Sequence, residues 1–337
     1  MSGKKAGGEG VEGEDPAVLI QNYKKFCNSL VIPIHPGVLS CLGNEEKYPL
    51  VQILIDNEFG PLGPGGTRAL MTALMGTGPG MKGGPFKLVQ SIRLWRTNVG
   101  EEGAAAIAEI LRLGGGEIKI SYLELLDDNI GPKGSMAIGT ALQLGNNVSL
   151  QVLKLDYNTS IGTTGISYLC RGLRTNSTIK ILSLTSCGIG PEGGVCIGDV
   201  LAFSKSSIEE ININCNKLGG VGLKAVCTGL MTNTKCEKVN IADNNIDQLE
   251  SDMRGLCELR DLLMVPTSAI TSWDMTCNRI GEQGANILVP ALGEDNTRIR
   301  EFLVDLTLPM DVFQLIFRKP AGKGKKGKKK GGKKKKK

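Results

Sequence analysis

Leu150-Gln151-Val152-Leu153-Lys154-Leu155-Asp156-Tyr157-Asn158 runs on into Thr159-Ser160-Ile161-Gly162-Thr163-Thr164-Gly165, and the reading of this stretch decides the fold. Alternation of Leu153 and Leu155 places both on one face of a short strand. Asn158, three residues beyond the last strand leucine, can bond backbone groups left unpaired where the chain turns. Ile161-Gly162 then gives a tight entry to the next element, where glycine tolerates backbone angles that other residues resist.

Working outward, the pattern returns as Ile179-x-x-Leu182-x-Leu184-x-x-Cys187 with Ile189-Gly190, and as Ile208-x-x-Ile211-x-Ile213-x-x-Asn216 with Leu218-Gly219. It returns again as Ile270-x-x-Trp273-x-Met275-x-x-Asn278 with Ile280-Gly281. Upstream copies are Val89-x-x-Ile92-x-Leu94-x-x-Thr97 with Val99-Gly100, and Ile120-x-x-Leu123-x-Leu125-x-x-Asp128 with Ile130-Gly131. Gly63 marks a looser first copy, and Asp247 takes the glycine's place in the copy holding Cys236, Val239 and Ile241. Most steps between landmarks are 28 to 31 residues. The first is 37, stretched by a glycine-rich insert at 76–85, and that from Asp247 to Gly281 is 34. A partial copy, Ile299-x-x-Phe302-x-Val304, closes the series.

After each strand the apolar residues fall at helical spacing, as in Ala104, Ile107, Ala108 and Leu111, or Gly222, Ala225, Val226 and Leu230. One such unit cannot bury its own apolar face, but stacked neighbours can. The expected fold is therefore α/β, a solenoid with a curved parallel sheet on the concave side and helices on the convex side. Composition agrees: aromatics are only 4% while glycine reaches 46 residues, which suits thin layers of Leu, Ile, Val and Ala. The pattern resembles the leucine-rich-repeat family, in its ribonuclease-inhibitor-like class with full helices, from about residue 50 to 306. The first copy and the Asp247 copy depart from it.

The expected organisation is a disordered stretch at 1–14, a helical cap at 15–46, about eight repeats plus a closing strand at 47–317, and a disordered Lys/Gly-rich tail at 318–337. Asp15-Pro16 reads as a helix entry, followed by Val18, Leu19, Tyr23, Phe26, Cys27 and Leu30 at helical period. A solenoid needs its terminal apolar faces covered, which is the work assigned to this helix; a partner-binding helix is the other reading. At the far end Phe302, Val304, Leu306, Phe313, Ile316 and Phe317 are expected to close the core.

The formal charge of +6 conceals two unlike parts. Residues 318–337 hold 13 Lys plus Arg and no acid, which leaves 27 bases against 34 acids in the rest. The body is thus mildly acidic. The candidate polyanion-binding residues are Lys323, Lys325, Lys326, Lys328, Lys329, Lys330, Lys333, Lys334, Lys335, Lys336 and Lys337. Lysine attracts nucleic acid, anionic lipid and acidic protein tails alike. No aromatic residue interleaves to stack on bases, so sequence-specific nucleic-acid binding is not expected. A merely solubilising tail is the plainer reading.

Nothing in the sequence assembles an active site. His35, the only histidine, lies in Pro33-Ile34-His35-Pro36 and reads as a loop or capping residue. Gly60 to Thr67 is rich in glycine but lacks the Gly-Lys-Ser/Thr ending of a phosphate loop. Asp127 and Asp128 are adjacent, yet repeat geometry accounts for Asp128 as the turn residue. Ten cysteines without paired short spacings read as small buried apolar residues in a reducing compartment, with Cys187 structural in its turn. No apolar run reaches the ~18 residues that span a bilayer, and the N-terminus shows no signal-peptide stretch. Neither cofactor nor metal is expected, and the address is read as cytoplasmic.

Binding is the better expectation. In phase, one outward row reads Arg93, Glu124, Lys154, Ser183, Asn212, Asn240, Asp274, and the next Trp95, Leu126, Asp156, Thr185, Asn214, Ala242, Thr276. The candidate protein-binding residues are Arg93, Trp95, Arg96, Tyr122, Glu124, Asp127, Lys154, Asp156 and Tyr157, with Asn212 and Asn214 beyond them; Trp, Tyr and Arg are common at interface hot spots. For Trp95, packing on neighbours or under the glycine-rich insert is the competing reading. The expected function is a non-enzymatic scaffold or adaptor, the tail tethering it to an acidic surface. Small free-standing proteins similar to this one are often found in cilia and flagella, which implies an axonemal address with tubulin tails as the acidic partner. The alternative is a GTPase-activating protein resembling the Ran-directed family. That family typically carries an acidic tail, and its functional arginine has no identifiable counterpart here.

Overall fold

In the computed structural model, which describes residues 13–47 and 49–319, each copy of the pattern is one short strand and one helix. The strands are β1 (Gln52–Ile55), β2 (Ser91–Trp95), β3 (Tyr122–Leu126), β4 (Val152–Lys154) and β5 (Ile181–Ser183). They continue as β6 (Glu210–Asn212), β7 (Lys238–Asn240), β8 (Ser272–Asp274) and β9 (Glu301–Leu303). All pair in parallel and in chain order, so the sheet is a single unclosed array. Two helices, α1 (Pro16–Leu30) and α2 (Pro36–Leu42), precede it. Those between strands are α3 (Gly63–Met75), α4 (Gly100–Leu113), α5 (Pro132–Ala141), α6 (Gly162–Leu173), α7 (Pro191–Leu201), α8 (Gly219–Leu230), α9 (Glu250–Met264) and α10 (Gly281–Leu288). The last, α11 (Met310–Ile316), follows β9. This is the repeat solenoid expected from the sequence.

Burial alternates along the strands, with Ile92 and Leu94, Leu123 and Leu125, and Leu153 and Leu155 all fully buried toward the helices. Trp273 occupies the corresponding slot of β8 and is also completely buried. The helices stack closely because small residues face one another. A side-chain carbon on Gly172 of α6 would overlap the Gly139 carbonyl of α5, and one on Gly229 of α8 would overlap that of Gly198 in α7.

Two ladders of side-chain hydrogen bonds tie neighbouring repeats together. On the strand-exit side, Asn158 Nδ2 donates to the carbonyls of Leu125 (2.8 Å) and Leu155 (2.9 Å). Its Oδ1 accepts from the N–H groups of Asp128 (2.9 Å) and Ile130 (3.1 Å). Asn216, Asn244 and Asn278 make equivalent donations. In the same slot the Cys187 thiol donates to the Leu155 carbonyl at 3.2 Å, and burial raises its pKa, so the cysteine is structural as expected. The second ladder was not read from the sequence. Asn147, Asn176, Asn233 and Asn296 each donate from Nδ2 to a carbonyl of the preceding repeat, those of Leu111, Leu142, Leu201 and Leu263. Its signal was present as an asparagine three residues before Leu150, Ile179, Cys236 and Ile299.

Both ends are covered. The Asp15 carboxylate accepts from Ala17 N–H at the start of α1, and Leu19, Tyr23 and Cys27 bury one face of that helix. Leu30, grouped with that face in the sequence, is exposed where the helix ends. Asn22 exchanges two hydrogen bonds with the Lys82 backbone, and Lys25 donates to the Gly80 carbonyl; these clamp the glycine-rich insert to the cap. At the far end Phe302, Val304, Phe313 and Ile316 are buried, whereas Leu306 is 79% exposed in the turn after β9. Arg318, placed by sequence at the head of the tail, belongs to this closure. It pairs antiparallel with Phe302, and its guanidinium donates to the carbonyls of Asn296, Ile299, Leu292 and Gly293. The lysines from Lys323 to Lys337 and the stretch 1–12 lie outside the described residues.

Candidate functional site

The sheet face turned away from the helices carries the two rows read from the sequence, in the expected register. Arg93 lies beside Glu124, Glu124 beside Lys154, Lys154 beside Ser183, and the row continues through Asn212 and Asn240 to Asp274. Trp95 pairs with Leu126 in the next row. Parallel pairing in constant register brings residues some 30 positions apart to one strand spacing, about 4.8 Å.

On β2, β3 and β4 the side chains interlock. The Arg93 guanidinium lies 4.3 Å from the centre of the Tyr122 ring, and Lys154 Nζ approaches that ring at 5.7 Å. The Tyr122 hydroxyl donates to Glu124 at 2.9 Å, and the same carboxylate lies 3.7 Å from Arg93 Nε. Burial, followed by the Glu124 hydrogen bond, raises the Tyr122 pKa. Burial works against the Lys154 charge, but Tyr122, Glu124 and Asp156 outweigh it and hold the ammonium above its ordinary range. The trio is half-buried, and its two cations, Arg93 and Lys154, hold the Tyr122 ring by cation–π contact (about 0.5–2 kcal/mol each).

Trp95 is half-buried beside Leu126, with an indole N–H that has no acceptor among the described residues. Asp156 turns along the sheet: its Oδ1 accepts from the Ser183 hydroxyl (2.7 Å) and the Thr185 N–H (2.8 Å). Asn212 and Asn214 sit on and just after β6, two strands past Lys154. There Asn214 accepts from the Thr185 hydroxyl, apart from the charged cluster. Arg96, Asp127 and Tyr157 form a rim one residue beyond the second row, all with left-handed backbones (φ 56°, 54° and 63°). Arg96 and Asp127 pair at 3.5 Å with both side chains largely exposed, a contact of at most about 1 kcal/mol.

The rim continues through Ser186, Cys215, Asp243 and Cys277, again with positive φ. Cys215 and Cys277 are exposed there, contrary to the expectation that the cysteines are buried; Cys27, Cys170, Cys187, Cys227 and Cys236 do conform. Each exposed thiol immediately precedes a ladder asparagine, and that position was the available signal. His35 caps α2 and contacts the Gly60 carbonyl through Nε2 at 3.1 Å, a structural role in keeping with the sequence reading. Among the described residues no cluster of His, Cys, Asp or Glu is placed to hold a metal ion, and no helix is long and apolar enough to cross a membrane.

Comparison with known proteins locates the repeats independently. The family model described as "Leucine Rich repeat" matches residues 146–170, 175–198 and 204–227, which take in β4, β5 and β6 and most of α6, α7 and α8. Ribonuclease inhibitor of Mus musculus is 25% identical over 148 residues, covering 44% of this chain and 31% of that protein. That of Sus scrofa is 27% identical over 156 residues, covering 46% and 33%. The chain thus spans about a third of the length of the curated relatives it matches. A solved structure titled "Leiomodin-1 Actin-Binding Site 2 (ABS2)" overlaps it with a TM-score of 0.37 and 13% identity, covering 47% of this chain and 88% of that one. Repeat spacing, the ordered parallel sheet and the matched repeats agree on a leucine-rich-repeat solenoid, similar in part of its sequence to ribonuclease inhibitor.

Proposed function

We propose that the chain is a non-enzymatic scaffold that holds a protein partner on the concave sheet face, centred on β2, β3 and β4. The observation that carries this reading is the Arg93–Tyr122–Lys154 stack beside Trp95, aromatic and cationic side chains gathered half-exposed on the sheet face turned away from the described helices. Side chains of this kind dominate binding energy where they become fully desolvated. Glu124, Arg96, Asp127, Asp156 and Tyr157 supply the polar surround. In the same reading, Lys323 to Lys337 add a salt-sensitive tether to an acidic surface such as tubulin tails, with the ciliary or flagellar axoneme as the setting. Two weak contacts on one chain raise avidity when both can engage.

Proximity labelling in the protein's own cells identifies the partner, and Trp95→Ala then tests the surface. The variant is expected to weaken capture about 30-fold, the equivalent of a 2 kcal/mol hot spot, with a much smaller change in melting temperature. A loss that falls mainly on stability would assign Trp95 to packing and remove the patch.

A further inference from the structure

The strand-exit ladder contains one residue that does not fit it as an ion. At the slots of Asn158, Asn216, Asn244 and Asn278, side-chain nitrogen donates to carbonyls of its own strand and the preceding one. At Cys187 the thiol does so. Each of these slots therefore requires a donor. Asp128 fills the equivalent slot between β2 and β3, where it is fully buried. Its Oδ1 accepts from the N–H (2.7 Å) and hydroxyl (2.9 Å) of Thr97, just as Asn158 Oδ1 accepts from Asp128 N–H. The remaining oxygen, Oδ2, thus takes the position that the NH2 group has in the asparagines, and it has no partner among the described residues. A carboxylate oxygen has nothing to donate, and a buried polar atom left without a partner is destabilising.

We propose that Asp128 is a neutral carboxylic acid in the folded protein, its Oδ2 proton replacing the asparagine N–H, and that losing this proton loosens the joint between β2 and β3. Desolvation leads the causes that push this carboxyl up to about 7, against the lowering effect of the Thr97 and Val99 hydrogen bonds. Thr97 and Val99 from the β2 turn and Asn158 from the β4 turn are uncharged. The charged neighbour is Asp127 on the same turn, which opposes ionisation and is itself paired with Arg96. A carboxyl raised above its unfolded value of about 4 keeps its proton longer in the folded chain. Its stabilising contribution is therefore complete below about pH 4 and is lost progressively as pH rises toward 7. Thr97 and Asp128 directly follow Arg96 and Asp127 in the chain, so loosening there reaches the rim of the binding patch.

Asp128→Asn supplies the donor permanently at nearly constant shape. The full-length variant is expected to gain on the wild type in melting temperature by about 4 °C between pH 5.5 and 8.5. Parallel melting of the two proteins across that range would overturn the proposal. A second measurement stands even if the variant does not fold. Infrared spectra of wild-type protein labelled with 13C-aspartate should show one protonated-carboxyl band at pH 6 that disappears with a midpoint near 7. The absence of that band at pH 6 would overturn it equally.

Discussion

Asn216 shows how much one side chain holds together in this architecture. Its amide donates to the carbonyls of Leu184, Ile213 and Asn214 and accepts from the N–H groups of Cys187 and Ile189, which joins two turns and two strands. Asn216→Ala leaves several buried backbone groups unmet at once. At about 1–3 kcal/mol for each unsatisfied group, partly relieved by entering water, the expected loss is about 3 kcal/mol. A urea titration followed by circular dichroism should show it as a lower midpoint, and an unchanged midpoint would mean that the ladder contributes little. Asn158 and Asn216 were legible in sequence because they recur after the strand leucines. The second ladder lacked such visibility: its asparagines sit in polar connections, where the residue type is common for many reasons.

Among the elements, helix spacing is set by glycines that face one another across α5 and α6. Gly172→Ala brings two opposed effects. Alanine favours a helix over glycine by about 1 kcal/mol, while a side-chain carbon overlapping the Gly139 carbonyl must push the helices apart, at about 1–3 kcal/mol for overpacking. The second should win, giving a net loss in thermal denaturation. Gly116→Ala is the control, since open space surrounds that position, and it should be neutral within error. Periodicity located these helices from the sequence, but not the contact of backbone with backbone. That contact depends on which helix faces meet after stacking.

Over the whole molecule, the last repeat is closed by an arginine clamp. Arg318 and α11 close the last repeat, and these lie before residue 320. Deleting residues 323–337 removes eleven lysines and takes the formal charge from +6 to −5. Melting temperature should stay nearly unchanged. Cosedimentation with microtubules is expected to fall at low salt, less so once tubulin's acidic tails have been cleaved away, as counterion-dependent attraction requires. Equal cosedimentation of the full and truncated chains would remove the tether from the proposed function.

The repeat number, the strand direction and both outward rows follow from local pattern, because a two-residue alternation and a period near 29 leave stacked units one way to bury their leucines. Folding in three dimensions had to settle the rest. Whether Leu306 or Leu30 is covered depends on where a neighbouring element stops. That Tyr122 lies between Arg93 and Lys154 depends on side-chain direction across three strands. That Asp128 Oδ2 is buried without a partner depends on residues distant along the chain, Thr97 and Asn158 among them. Such properties belong to surroundings, and surroundings exist only once the repeats have come together.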